Sequence, residues 1–180
     1  MILDVLKTAA RFPKREGVLK CFNLGEFEYP EYADLKSSIE AMPPALIPEI
    51  EDFVFGADNE EVKRRINEIS GTYLFVDFGD IASTRSEKGT ITDAFQIALT
   101  VARKVNSSDL DMIAIAVVFE RMLQHVAAIK KTLLAETRNH PWLAEIDWNS
   151  DFSPFVAREL GSIGWSLIFE RKGLDLLKVK

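Results

Sequence analysis

Ile2, Leu3, Leu6 and Ala9 recur at steps of three and four, which predicts a helix over residues 2–10 that Pro13 ends. In "GVLKCFNLGEFEYPEY" the step shortens to two. Val18, Lys20 and Phe22 alternate with Leu19 and Cys21, so an extended segment is expected, ended by Gly25 and Pro30. A short helix is expected from Ala33. "MPPALIPEIEDFVFG" crowds three prolines into six residues and is expected to form helical turns separated by kinks. "DNEEVKRRINEIS" predicts a surface helix capped by Asp58 or Asn59, with acids in its first turn, bases after them, and Gly71 closing it.

The texture then changes to that of strands. In "TYLFVDF", Tyr73, Phe75 and Asp77 point one way and Leu74, Val76 and Phe78 the other, with Gly79 expected to supply a turn. Phe95, Ile97, Leu99 and Val101 alternate with Ala94, Gln96, Ala98, Thr100 and Ala102. A long strand over 91–105 is predicted, joined to the first through "IASTRSEKG". Met112, Ala116, Phe119, Leu123, Val126, Ile129 and Leu133 return to helical steps and predict one long helix over 109–136, capped by Ser107 or Ser108. After His140-Pro141 the chain reads as mostly irregular or short-stranded. Trp165, Leu167 and Phe169, opposite Ser166, Ile168 and Glu170, predict a last strand over 163–171. The expected class is α+β: a mainly antiparallel sheet backed by one long helix, with N-terminal helices and an irregular proline-rich segment. A single domain over 1–180 is expected, with residues 1–70 helical and irregular and the core in 71–172.

Composition narrows the function. Of 180 residues 47% are hydrophobic and 28% charged, and 22 basic against 28 acidic side chains leave a net charge of −6. That balance argues against a general nucleic-acid-binding surface, which needs a basic face. One cysteine, Cys21, precludes an intrachain disulfide and a cysteine-rich metal site. No stretch is expected to approach the ~20 apolar residues of a membrane helix, and the N-terminus lacks the order of a signal peptide, so a reducing cytoplasm is the expected compartment.

Chemistry is sparsely signalled. Asp77-Phe78-Gly79 matches the magnesium triplet of protein kinases, and "FVDFGDIAST" the first phosphate loop of actin-like ATPases. The other loops that either fold requires are missing. Asp77, Asp80, Asp93 and Glu87 could converge on a hard cation from two neighbouring strands, but their spacing specifies no such site. His125 and His140 form no metal or catalytic pattern, and Cys21 has no partner that would activate it. No catalytic residue, cofactor or metal is therefore assigned. The densest feature is aromatic. Trp142, Trp148, Phe152 and Phe155 fall within the stretch 141–155 expected to be loop-like, Trp165 follows in the last strand, and all five are candidate interface residues. The long strand 91–105 is a second hint of a contact, as an edge that a neighbour would cover.

The order of "GTYLFVDFGDI", "ITDAFQIALTVARKV", "DMIAIAVVFERMLQHVAAIKKTLLA", the "WNSDFSPF" segment and "GWSLIFERKG" is similar to that of the tail-terminator (tail completion, minor tail) proteins of long-tailed phages and Mu-like prophages. The resemblance covers about residues 68–172. It implies a small α+β subunit, its antiparallel sheet flanked by helices, that assembles into a ring, usually a hexamer. The ring caps the tail tube at the head–tail joint, with tube or other virion proteins as partners and no catalytic residues. Residues 12–66 exceed what a minimal terminator contains. The sequence-level expectation is thus a structural, homo-oligomeric assembly protein made in the cytoplasm and incorporated into a virion. The alternatives are a small protein- or peptide-binding adaptor, or a metal-dependent enzyme using Asp77 and Asp80.

Overall fold

A computed structural model describes residues 1–25, 27–57, 59–85, 91–105, 110–138 and 140–174. Its centre is a five-stranded sheet in the order β1-β2-β3-β5-β4, built from Asp52–Phe55, Thr72–Arg85, Ile91–Lys104, Ser162–Leu174 and Ile146–Ala157 respectively. β1 runs parallel to β2, and every other pairing is antiparallel. The helix α5 (Met112–Glu136) lies on one face, over β5 and β3. The chain is α+β with a mainly antiparallel sheet backed by one long helix.

The alternation of the strands decides what each face buries. Phe95, Ile97, Leu99 and Val101 of β3 and Leu167 and Phe169 of β5 point to the α5 face. There they meet Met122, Val126, Ile129 and Leu133 of α5. The N-terminal helices feed the same core. Val5 and Ala9 of α1 (Ile2–Ala9), Val18 of α2 (Arg15–Leu19) and Ile39 of α3 (Glu31–Glu40) are all buried in it. Arg11 donates to Glu136 Oε1 at 2.7 Å, tying the exit of α1 to the end of α5 and holding the Glu136 carboxyl below its ordinary pKa. A smaller core fills a portion of the opposite face, where Val62, Ile66 and Ile69 from α4 (Asn59–Asn67) and its exit cover Tyr73, Ala102 and Leu160.

Several local expectations are corrected. Residues 15–19 coil into α2 rather than extending, because Gly17 brings that helix against the backbone of Glu51 and Asp52. The proline-rich stretch 42–50 forms turns and bends without helix, and the tetrapeptide Asp52–Phe55 behind it is a strand. Gly79 does not turn the chain. β2 runs on to Arg85 with an irregular register between Phe78 and Ile81, since pairing with β3 rewards extension along its whole length. Residues 86–90 of the connection lie outside the described residues.

Strand 91–104 is central, not an edge, with β2 on one side and β5 on the other. The stretch after His140 is ordered: α6 (Pro141–Ala144) leads into β4, and a 3₁₀ turn at Arg158–Leu160 leads into Gly161. At φ +52° Gly161 adopts the left-handed conformation that glycine tolerates best, and this closes the β4–β5 hairpin. α5 begins at Met112, and its cap is Asp111, whose carboxylate accepts from the Ala114 N–H at 2.7 Å. Ser107 and Ser108, like Asp58 of the earlier helix, lie outside the described residues.

Candidate functional site

The five aromatic residues singled out above do not share one surface. The β4–β5 register places Phe152 and Trp165 on the α5 face and Phe155 on the opposite one. Trp142 packs between α1 and α5 over a small cavity bounded by Val5, Leu133 and Phe169. Trp148 lies 5.8 Å from the Phe169 ring, and Trp165 meets Phe119 of α5 edge to face at 6.3 Å. Phe155 joins the smaller core. Phe152 alone of the five is exposed, with the Lys130 ammonium 5.1 Å above its ring. Val156, four residues along the same strand, is also exposed.

The carboxylates are also separated. Asp77 pairs with Ala98 on the face away from α5, where partial burial raises its pKa. Asp93 is buried on the α5 face and accepts from Ser83 Oγ at 2.6 Å. A sheet therefore lies between the two groups. Glu87 and the side chain of Asp80 lie outside the described residues. Among the described residues no three His, Cys, Asp or Glu side chains converge as metal ligands. His125 is half-buried, its pKa lowered chiefly by burial, and His140 lies 4.0 Å from Glu136.

A polar group that sequence reasoning missed lies under β1. Asp52 is buried and accepts from Lys20 Nζ at 2.7 Å and from Arg65 at 3.0 Å. Beside it opens a cleft of about 410 Å³ lined by Cys21, Phe55, Arg65 and Phe78 among others. The Cys21 thiol donates to the Phe53 carbonyl at 3.4 Å, and burial pushes its pKa up, the wrong direction for a nucleophile. Among the described residues, the two cations that line this cleft, Lys20 and Arg65, are met by Asp52 and Glu68.

The largest anomaly is on α5. Its first ten residues, "MIAIAVVFER", contain eight apolar side chains and not one buried residue. Met112 is 84% exposed, Ile113 73% and Val117 54%. The expected stripe is therefore half realised. Val126, Ile129 and Leu133 enter the core, whereas Met112 and Ala116 face away from it. The helix is also long and apolar enough, by length and composition, to cross a membrane. This corrects the expectation that no stretch approaches the apolar length of a membrane helix: Glu120 and Arg121 break the run, but the apolar residues on both sides keep its mean hydropathy at 1.6. The second half of α5 is anchored on the sheet.

Neither the models of known protein families nor the curated proteins compared with this sequence give a match.

Proposed function

We propose that this protein is a structural assembly subunit of the tail-terminator kind, one copy of a ring that closes a tail tube at the head–tail joint. The observation that carries the reading is the uncovered apolar start of α5. About 25 cal/mol are lost for each Å² of apolar surface left in water, so a cluster of this kind on a water-soluble subunit marks a contact made on assembly. The fold has the elements that the resemblance implies, a small antiparallel sheet flanked by helices. The aromatic residues buttress the sheet, Phe152 and Val156 add an apolar fringe at its outer strand, and the carboxylates face different sides. Such a subunit works by shape: neighbours bury these surfaces, and one face of the ring meets the last layer of the tube.

The test is mass and shape together. The purified protein at about 100 µM, alone and mixed with assembled phage tail tubes, is followed by sedimentation and electron microscopy. Closed rings, or particles seated at tube ends, are expected. A strict monomer that ignores tube ends sinks the reading and leaves the peptide-binding adaptor in its place.

A further inference from the structure

Exposed positions on α5 recur at alternating steps of four and three. Ile113, Val117, Ala127 and Leu134 are apolar members of this row, and Glu120, Gln124 and Lys131 are its polar members. All seven are solvent-exposed, although the row runs the length of a helix whose opposite side is packed on the sheet. A spacing of 3.5 residues is that of a helix-pairing seam, and from Ile113 to Leu134 it extends about 32 Å. The four large apolar side chains that α5 leaves exposed are Met112, Ile113, Val117 and Leu134, and three of them fall on this row.

The order of charge along the row selects the occupant. Glu120 and Lys131 are equidistant from a point between His125 and Val126, and so are Val117 and Leu134, and Gln124 and Ala127. We propose that α5 pairs with α5 of a second copy of this chain, antiparallel about a two-fold axis at that point. Glu120 then faces Lys131 of the second copy, twice. Val117 packs on Leu134, and Gln124 lies over the small Ala127, which lets the helices approach closely. Parallel pairing would set Glu120 on Glu120 and Lys131 on Lys131, so like charges exclude it. In the single copy Glu120 accepts from Gln124 Nε2 at 2.9 Å, a bond within the helix that leaves its second carboxylate oxygen to the partner. The pairing does not depend on the tail-cap reading and would serve an adaptor equally. Being two-fold, it joins copies only in pairs, so in an assembly it would tie two rings or two subunits together rather than close a ring.

Sedimentation equilibrium between about 5 and about 200 µM tests the pairing, because a two-fold dimer dissociates on dilution. The expected result is a dimer that Glu120→Lys and Lys131→Glu each weaken at least about tenfold and that the double variant restores. In a Cys21→Ser background, Val117→Cys with Leu134→Cys should link covalently on mild oxidation, whereas Val117→Cys alone should not. All these positions are on the surface, so circular dichroism should show an unchanged fold. Overturning results are a wild type that stays monomeric throughout, charge reversals without effect or without mutual rescue, or linkage through Val117→Cys alone. Flotation of the wild type with anionic phospholipid vesicles in place of self-association also overturns it, since the row would then be a membrane-contacting face.

Discussion

Replacing Gly17 with alanine should destabilise this protein, although the same change in most helices stabilises it. In an ordinary helix interior the gain is about 1 kcal/mol. Here a Cβ on Gly17 would lie 2.2 Å from the Glu51 carbonyl oxygen and 2.8 Å from the Asp52 Cα. Both are backbone atoms of the approach to β1 and cannot rotate aside, so α2 must lift away from the strand. Overpacking of this kind costs about 1–3 kcal/mol, and the upper end applies where the obstacle is backbone. Lifting α2 also strains the Cys21–Phe53 and Lys20–Asp52 contacts, each of which joins its C-terminal end to β1. We expect a net loss of about 2 kcal/mol, which for a chain of this size lowers the melting temperature by roughly 4–8 °C. Gly25→Ala is the control. Nothing lies within 4 Å of its would-be Cβ, and its effect should stay within about 0.5 kcal/mol. Urea denaturation of the three proteins makes the comparison. A Gly17→Ala variant as stable as the wild type would show that α2 does not dock on β1 at this distance.

Other expectations follow from the titrating groups. Burial pushes the Tyr73 phenol up to about 12, so the folded state keeps its proton above pH 10, where the unfolded chain loses it. Stability should therefore fall between pH 10 and 12 by about 2 kcal/mol more in the wild type than in Tyr73→Phe, measured by urea titration across that range. Asp52→Ala leaves the largely buried Arg65 with only the more distant Glu68 at 3.6 Å and should cost about 1–3 kcal/mol, with wild-type stability retained by Asp52→Ala sinking the ion-pair account. The raised pKa of Asp77 means that its charged form is disfavoured in the folded state, so Asp77→Asn should be slightly more stable at pH 7 and equal to the wild type near pH 3. Magnesium should leave the melting temperature of both unchanged, and a magnesium-dependent rise in the wild type alone would reinstate a cation site at Asp77.

The stretches of the fold legible in the sequence were those where a single periodicity runs long enough to exclude the others. β3 alternates from Phe95 to Val101, and its large residues are buried on one face as that spacing requires. The second half of α5 and the last strand were legible for the same reason. β1 escaped because four residues behind three prolines are too short to show any period, and it is stabilised by pairing with β2 rather than by its own pattern. β4 escaped because only its two end positions, Ile146 and Ala157, are buried, while an irregular stretch between Asp147 and Asp151 and Pro154 interrupt it, so no apolar alternation marks it as a strand. The aromatic residues were visible by composition, but the face each takes follows only from reading 146–157 as a strand rather than a loop. The helix row was present in the sequence as a heptad spacing. It was hidden by the stronger assumption that the apolar residues of a long helix all face the sheet.

The two flanks of the sheet are closed in different ways, and this restricts what kind of particle the chain can form. On one flank α2 lies against the outer side of β1, and the Cys21 thiol occupies the Phe53 carbonyl there. On the other, Pro154 withholds an amide hydrogen and the irregular stretch of β4 spoils the straight ladder that an incoming strand would need. Copies therefore cannot be stitched side by side into an open-ended ribbon, however crowded they become. Strand addition is thereby closed as a route of growth at both flanks, and any contact between copies has to be made by side chains.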